Sequence, residues 1–368
     1  MVDVFFQDCH YDDPELKQAV FDMMDAMGGQ AIGAGSTVII KPNLLMAADA
    51  ELAVTTHPLI VRHVAEYVIG RACRPVISDS PPTGVFEKIL SQGGYIQALS
   101  GLDVVFRPFR ESIKKDIGEP FGSIEIAKEV LEADYVINLA KLKTHPQMLF
   151  SLGIQNMFGC VVGLRKSEWY SKTGSDRNLF ARLSIQINAA INPAMTIIDG
   201  VLALEGIGPG LSGTPRAMNL LIGSKDALAA DMAVCKVVGL DMQALQTYEA
   251  ARQLKWLPED IHIRGQFHIL DDFEFPHIGT MKTGSAFLHG FMRKHILQKP
   301  VCDNQKCKLC GDCWRYCPVK AIDHHIKGIR YNYDACIRCY CCLEICPYGA
   351  ISLKEPLSGR ILERMGAF

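Results

Sequence analysis

Short apolar runs alternate with amphipathic segments along residues 1–285. Asp13 and Pro14 predict the start of a helix that the glycine pair after Met27 ends, and Ser36–Lys41 predicts a buried strand. The same pattern predicts helices at 57–73, 150–162, 179–191 and 226–238, and strands at 74–79, 102–106, 133–139, 195–199 and 219–223. We therefore expect an α/β fold with a mostly parallel sheet and helices on both faces.

Polar residues recur where these predicted strands end. The residues with candidate catalytic roles are Lys41, Asn43, Lys141, Lys143, His145 and Asp199, and Asp79, Arg165, Lys166 and Glu205 lie in similar places. Ligands bind beside the carboxyl ends of parallel strands, so these side chains are expected to meet at one edge of the sheet. The cations suit an anion, whereas the carboxylates suit a metal or proton transfer. Sequence leaves these roles open, and Asn43 and Asp79 taken singly also suit helix caps.

A glycine-rich loop, Glu205–Gly210, follows the strand that contains Asp199. It lacks the glycine order and the Lys-Ser/Thr ending of nucleotide-binding loops. A flexible lid or a tight turn is therefore favoured over a phosphate cradle.

Eight cysteines near the C-terminus repeat one spacing twice, with an offset of 336 − 307 = 29 residues. The two runs are Cys307, Cys310, Cys313 and Cys317-Pro, then Cys336, Cys339, Cys342 and Cys346-Pro. This spacing is typical of bacterial ferredoxins with two 4Fe-4S clusters. Because the fourth cysteine of each run ligates the other cluster, the predicted sets are Cys307, Cys310, Cys313 and Cys346 for cluster one, and Cys336, Cys339, Cys342 and Cys317 for cluster two.

Zinc and disulfide alternatives fit these cysteines less well. Four-cysteine zinc sites normally use two separated Cys-x-x-Cys pairs. No export signal is visible, and cytosolic thiols stay reduced.

Composition limits the classes of partner and compartment. The 368 residues are 49% hydrophobic and carry a net charge of −2, so a globular chain is expected without a basic surface for nucleic acid. No apolar run is long enough to span a membrane, and we expect a cytoplasmic protein. The expected organisation is an α/β domain (1–285), a linker (286–300), a two-cluster ferredoxin domain (301–356) and a tail (357–368).

Several motifs resemble one known family, the domain of unknown function family numbered 362. They are Ile40-Lys41-Pro-Asn43-Leu, Thr55-Thr-His57-Pro, Ser78-Asp79-Ser80-Pro, Lys141-Leu-Lys143-Thr-His145, Gln155-Asn156-Met-Phe-Gly159-Cys160 and Ile198-Asp199-Gly200. The resemblance covers about residues 1–240, and family members often carry a C-terminal two-cluster ferredoxin domain. It implies that Lys41, Asn43, Thr56, Asp79, Lys141, Lys143, His145, Asn156 and Asp199 are shared polar positions, but it implies no activity.

These features favour an oxidoreductase whose clusters relay electrons to an anionic small substrate or an unknown cofactor in the α/β domain. A protein that only transfers electrons while docked to a redox donor or acceptor protein is the first alternative. The second is a non-redox enzyme, because the Lys-x-Lys-Thr-His stretch ending at His145 is similar to one in nickel-dependent lactate racemase.

Overall fold

A computed structural model describes residues 1–82, 84–174, 176–276 and 297–356. The strands are β1 (Val2–Asp8), β2 (Thr37–Pro42), β3 (Arg74–Ile77), β4 (Val105–Phe106), β5 (Ser112–Asp116), β6 (Ser123–Ala127), β7 (Tyr135–His145), β8 (Leu149–Ser151), β9 (Met195–Gly206), β10 (Gly213–Ser224), β11 (Ile261–Arg264), β12 (Lys299–Cys302), β13 (Ile322–His325), β14 (Gly328–Tyr331) and β15 (Ile351–Lys354). The helices before the cysteine runs are α1 (Leu16–Ala26), α2 (Pro58–Gly70), α3 (Phe86–Gln92), α4 (Tyr95–Ala98), α5 (Lys128–Glu132), α6 (Gly153–Asn156), α7 (Arg165–Thr173), α8 (Arg177–Ile191), α9 (Ala227–Val237) and α10 (Gln246–Leu254). Two short helices, Asp312–Tyr316 and Cys341–Glu344, follow within the cysteine runs.

Among the described residues, the central sheet has nine strands in the order β11-β1-β10-β9-β7-β2-β3-β4, with β8 paired to the end of β7. Among these, β10 is antiparallel to both neighbours and β8 is antiparallel to β7, while the remaining pairs are parallel. This mostly parallel sheet confirms the predicted fold class.

Apolar side chains cover the sheet on both faces, because successive strand residues point in opposite directions. Ile40 of β2 packs with residues of α1 and α2, whereas its neighbour Ile39 belongs to a second core with residues of α8 and α9. The helices therefore enclose the sheet from both sides, as the apolar pattern predicted.

Most predicted elements occur close to their expected places, but the helix predicted at 150–162 is wrong. That stretch contains β8, the short helix α6 and a single 3-10 turn at Met157–Cys160. Apolar residues recur there at helical spacing, but Leu149 has a φ of 66° and the chain turns back along β7. Tertiary pairing overrides the local pattern.

Strand β7 is longer than the sequence indicated. Lys141, Lys143 and His145 lie within the strand and not in a loop after it. All three are buried, with 1% of their surface exposed, and each has a polar partner. Pairing compensates for the cost of burying these polar groups, so the strand continues through them.

The cluster module, residues 299–356, is built from β12 paired with β15, β13 paired with β14, and the two short helices. Its duplication is visible in the backbone as well as in the sequence. Leu309 and Arg338, 29 residues apart, share left-handed φ values of 52° and 61°, and Lys320 and Gly349 share values of 50° and 54°. The halves are two copies of one loop design.

The predicted domain boundaries remain a prediction. Strand β12 begins at Lys299, inside the stretch expected to be linker. Most of the predicted linker 286–300 and the whole predicted tail 357–368 lie outside the described residues.

Candidate functional site

A cavity, here called the central cavity, lies at the carboxyl ends of β2 and β7, between the sheet and the cluster module. Its polar lining comes from Lys41, Asn43, Asp79, Ser80, Lys143, His145, Ser151, Gln155, Asn156, Lys166 and, from the module, Tyr316 and Glu344. Apolar walls come from Leu44, Leu45, Pro81, Pro82, Phe158, Tyr170 and Pro209, among others. The structure thus gathers Lys41, Asn43, Lys143 and His145 from the predicted catalytic set at one place.

Lys41 is fully committed to partners within the protein. Its Nζ lies 2.9 Å from Asp79 Oδ1, and it donates to Pro42 O at 2.9 Å and to Asn156 Oδ1 at 3.2 Å. A Cβ added at Gly159 would lie 2.7 Å from both the Lys41 Nζ and the Asp79 Oδ1. Glycine at this position lets the chain pass directly over the buried ion pair.

Two other lysines have N–H groups for which the described residues provide no hydrogen-bond partner. Lys143 donates to Asn43 Oδ1 at 2.9 Å and to Val54 O at 2.7 Å, which leaves one of its three hydrogens. Lys166 donates to Ser80 O at 2.6 Å, which leaves two. Burial lowers the pKa of Lys143 to about 7 and that of Lys166 to about 8. Both are therefore poised to gain from a bound negative charge.

His145 joins the α/β domain to the cluster module. Its Nδ1 accepts from the backbone N–H groups of Gln147 and Met148, each at 3.1 Å. The ring proton therefore lies on Nε2, which donates to Glu344 Oε1 at 2.8 Å. A carboxylate from the module fixes the orientation of a histidine in the sheet.

Lys141 and Asp199 lie apart from the central cavity, in a buried network of their own. Lys141 Nζ lies 2.9 Å from Asp199 Oδ2, the Tyr11 hydroxyl donates to Asp199 Oδ1 at 2.6 Å, and the His57 N–H donates to Asp199 Oδ2 at 2.8 Å. Although burial opposes its charge, the Lys141 ammonium and these donors hold the pKa of Asp199 below its ordinary value. This pair links β7 and β9 to the start of α2 and so stabilises this edge of the sheet.

The glycine-rich loop packs on both sides, unlike a free lid. Gly208 donates its N–H to Thr144 Oγ1 at 3.1 Å, and a Cβ added at Gly210 would lie 2.9 Å from Glu344 O. Just beyond it, Ser212 Oγ donates to Ile351 O at 2.8 Å. The loop is therefore the part of the α/β domain against which the cluster module packs.

The cysteines surround two further cavities. The first thiol cavity is lined by Cys307, Cys310, Cys313 and Cys346, with Cys302 beside them. The second thiol cavity is lined by Cys317, Cys336, Cys339 and Cys342, with Cys341 beside them. These groupings are the two crossed sets that the spacing predicts.

The surroundings of the thiols suit iron-sulfur clusters. Cys317 Sγ accepts from Ala321 N at 3.2 Å, and Cys346 Sγ accepts from Ala350 N at 3.3 Å, so each half supplies the same N–H···S contact. Such donors stabilise electron-rich thiolates and tune cluster potential. A site for a single metal ion is a separate question. Within the described ranges, no three His, Cys, Asp or Glu side chains form a group that could hold one such ion. Assignment of each cysteine to its cluster remains a prediction.

The sequence reasoning missed the two residues that the module contributes to the cavity, Glu344 and Tyr316. The available signal was a break in the repeat, because Glu344 occupies the position of Arg315 in the first half. An acidic residue between two cysteine ligands, where the other copy has a basic one, marks a place where the copies face different surroundings.

Fold and site together define an α/β protein with a fused ferredoxin-type module. Two family models match the chain: one described as a domain of unknown function (DUF362) at residues 38–236, and a 4Fe-4S dicluster domain at residues 299–347. The chain therefore belongs to the DUF362 family, and its module binds 4Fe-4S clusters.

Known relatives match both parts. A thylakoid-associated protein of Synechocystis is 33% identical over 246 residues, covering 66% of this chain and 76% of that protein. The pyruvate synthase subunit PorD of Methanocaldococcus jannaschii is 38% identical over 55 residues, which are 15% of this chain and 64% of that subunit. The delta subunit of an NADH-dependent phenylglyoxylate dehydrogenase of Aromatoleum evansii is 39% identical over 49 residues, 13% of this chain and 53% of that subunit. These matches support an electron-transfer role for the module.

Among solved structures, the lactate racemase apoprotein of Thermoanaerobacterium thermosaccharolyticum is similar at 16% identity and a TM-score of 0.39, covering 59% of this chain and 54% of that chain. A likeness of this degree has no bearing on the chemistry of the central cavity. Separately, none of the helices described here has the length and apolar character needed to cross a membrane.

Proposed function

We propose that this protein is an oxidoreductase in which two 4Fe-4S clusters exchange electrons with an anionic small molecule held in the central cavity. One observation carries the proposal. Glu344 and Tyr316 of the module line the same cavity as Lys143 and Lys166 of the α/β domain. The redox module forms a wall of the candidate binding site.

The charge of the cavity favours an anion. Its lining holds three lysines, Lys41, Lys143 and Lys166, against the two carboxylates of Asp79 and Glu344. Because Lys41 is paired with Asp79, the N–H groups that could bind an anion belong to Lys143 and Lys166. A carboxylate or phosphate accepts N–H groups of this kind and would favour the charged form of both lysines.

The residues that the module contributes to the cavity are close in sequence to the predicted cluster ligands. Glu344 stands between Cys342 and Cys346, and Tyr316 directly precedes Cys317. When bound, 4Fe-4S clusters supply single electrons, and the protein supplies position and electrostatic field. In the proposed site, Lys143 and Lys166 hold the anion, while the apolar walls and the seated module exclude water.

The test starts from anaerobically purified protein. Iron and sulfide are counted, and small molecules released on denaturation are identified by mass spectrometry. We expect about eight irons per chain and an anionic compound. Loss of that compound in Lys143→Met, and its retention in the exposed control Lys114→Met, would support the site.

The redox step has its own measurement. Clusters reduced with dithionite are mixed with the released compound, and their reoxidation is followed by absorbance. The proposal expects rapid reoxidation in the wild type and slow reoxidation in Lys143→Met. Zinc in place of iron, or equal reoxidation in both proteins, would contradict it.

A second function is favoured by the matches to PorD and the phenylglyoxylate dehydrogenase subunit, which are named as subunits of larger enzymes. In this case the chain passes electrons within a complex and performs no chemistry of its own. Anaerobic pull-down distinguishes the two. A stable complex that keeps full electron transfer after Lys143→Met and His145→Ala would favour the electron-transfer subunit.

A further inference from the structure

The two halves of the cluster module share a backbone design but present different side chains. Positions related by the offset of 29 residues carry Lys308 and Ile337, Leu309 and Arg338, and Arg315 and Glu344, while Cys310 and Cys339 differ only in exposure. Since the loops adopt equivalent conformations, these differences come from what each loop faces.

The first half faces solvent. Lys308, Cys310 and Arg315 are exposed, and Leu309 exposes 38% of its surface. From the second half, Tyr348 reaches the same cavity and exposes 46% of its surface. Lys308, Cys310 and Tyr348 line the first thiol cavity. A cluster held there would lie within reach of another redox protein.

The second half faces the α/β domain. Arg338 and Cys339 expose only 3% and 7% of their surface. Cys339 and Tyr316 belong to the same apolar core as Tyr170 of helix α7, and both tyrosines line the central cavity. The second thiol cavity therefore packs, through Cys339, against side chains that line the central cavity, whereas the first opens to solvent beside Lys308, Cys310 and Tyr348.

We infer that the module is a directional relay, in which the cluster of the first thiol cavity exchanges electrons with an acidic one-electron carrier and the cluster of the second passes them to the central cavity. One electron leaves the reduced carrier, which becomes oxidised, and reduces the first cluster. A first cluster held by Cys307, Cys310, Cys313 and Cys346 would then pass the electron to the second, and the second would be reoxidised by the anionic small molecule of the proposed function, which is reduced. The inner end of this relay rests on the function proposed above, whereas the outer end does not.

Charge identifies the carrier. Between residues 303 and 315 the exposed charged side chains are Lys306, Lys308 and Arg315 against Asp303, and the half-buried Asp312 adds a second carboxylate to the lining of the first thiol cavity. A rim with three exposed cations against one exposed and one half-buried carboxylate, around an exposed Leu309, favours a partner with an acidic contact surface. Attraction of this kind acts mainly on the rate of association, and it weakens as salt is added.

The test compares Lys308→Glu with Lys320→Glu. Both lysines are exposed and both substitutions change the net charge equally, but Lys320 follows Cys317 of the second set. The reductant is flavodoxin hydroquinone, an acidic one-electron carrier, and its oxidation is followed by stopped-flow absorbance without any substrate. We expect Lys308→Glu to lower the second-order rate constant roughly ten-fold at low ionic strength and to flatten its salt dependence. Lys320→Glu is expected to stay within two-fold of wild type.

Iron counts and reduction by the small methyl viologen radical verify that each variant keeps its clusters. Should Lys308→Glu lose iron, Tyr348→Glu introduces a negative charge at the same rim with half the change in net charge, and a correspondingly smaller loss of rate is expected. Equal rate constants in all variants, or a larger loss in Lys320→Glu, would overturn the relay direction. Because the assay contains no substrate, that result would leave the proposed function of the central cavity standing.

Discussion

Removal of the buried Lys143 ammonium should change how the stability of this protein depends on pH. Burial lowers the pKa of Lys143 from 10.5 to about 7. Between these values the unfolded chain binds a proton that the folded chain does not, so folding becomes more favourable as the pH rises. The full pKa difference corresponds to about 5 kcal/mol of folding free energy. This stabilisation is absent below about pH 7 and fully present above the unfolded-state pKa of 10.5.

Lys143→Met keeps the aliphatic stem and removes the titrating group. It also leaves Asn43 Oδ1 and Val54 O without their donor, at a cost of about 1–3 kcal/mol for each buried acceptor. At neutral pH the variant should therefore lie between about 1 kcal/mol less and about 3 kcal/mol more stable than wild type. As the pH rises, wild type should gain about 1.4 kcal/mol per unit relative to the variant.

The measurement is scanning fluorimetry of both anaerobic proteins at one scan rate, from pH 7.5 to 9.5. Because unfolding releases clusters in both, the difference between midpoints isolates the substituted group. We expect wild type to gain roughly 3–5 °C on the variant across this range. Lys114→Met, with the exposed side chain replaced, should follow wild type. If the midpoints of wild type and Lys143→Met changed in parallel with pH, the pKa of Lys143 would not be lowered by burial, which would contradict the prediction.

Three other outcomes are expected. Affinity for the anion in the central cavity should fall as the pH rises above about 7, because Lys143 loses its proton; equal calorimetric affinity at pH 6.5 and 8.5 would contradict this. Gly159→Ala should cost about 3–5 kcal/mol, since its methyl group would lie 2.7 Å from both charges of a buried ion pair, whereas Gly70→Ala, with open space around it, should be tolerated; the comparison is made by thermal midpoint. Cys339→Ser should reduce the iron content from about eight to about four per chain while Cys341→Ser keeps it, and the reverse result would exchange their roles as ligand and bystander.

Much of the α/β domain follows from local pattern. The alternation of apolar runs and amphipathic segments predicted β2, α2, β3, α8 and α9 close to their observed bounds. The pattern failed at 150–162, where helical spacing of apolar residues coexists with a turn back along β7. It also ended β7 too early, because lysine is normally excluded from a buried strand unless it has a partner.

The candidate site was predicted only in part. Lys41, Asn43, Lys143 and His145 were expected to share one edge of the sheet, and the structure brings them together around the central cavity. Lys141 lies on the same strand but turns to Asp199 and Tyr11 instead.

By itself, the sequence determined the mostly parallel sheet and predicted the two sets of four cysteines, since both depend on periodicity and spacing over short distances. Only the tertiary structure decided that Glu344 reaches His145, a contact between residues separated by 199 positions. It also decided that one half of the repeat faces solvent and the other the α/β domain. Spacing fixes what a loop can bind, but the packing of distant segments fixes what that loop faces.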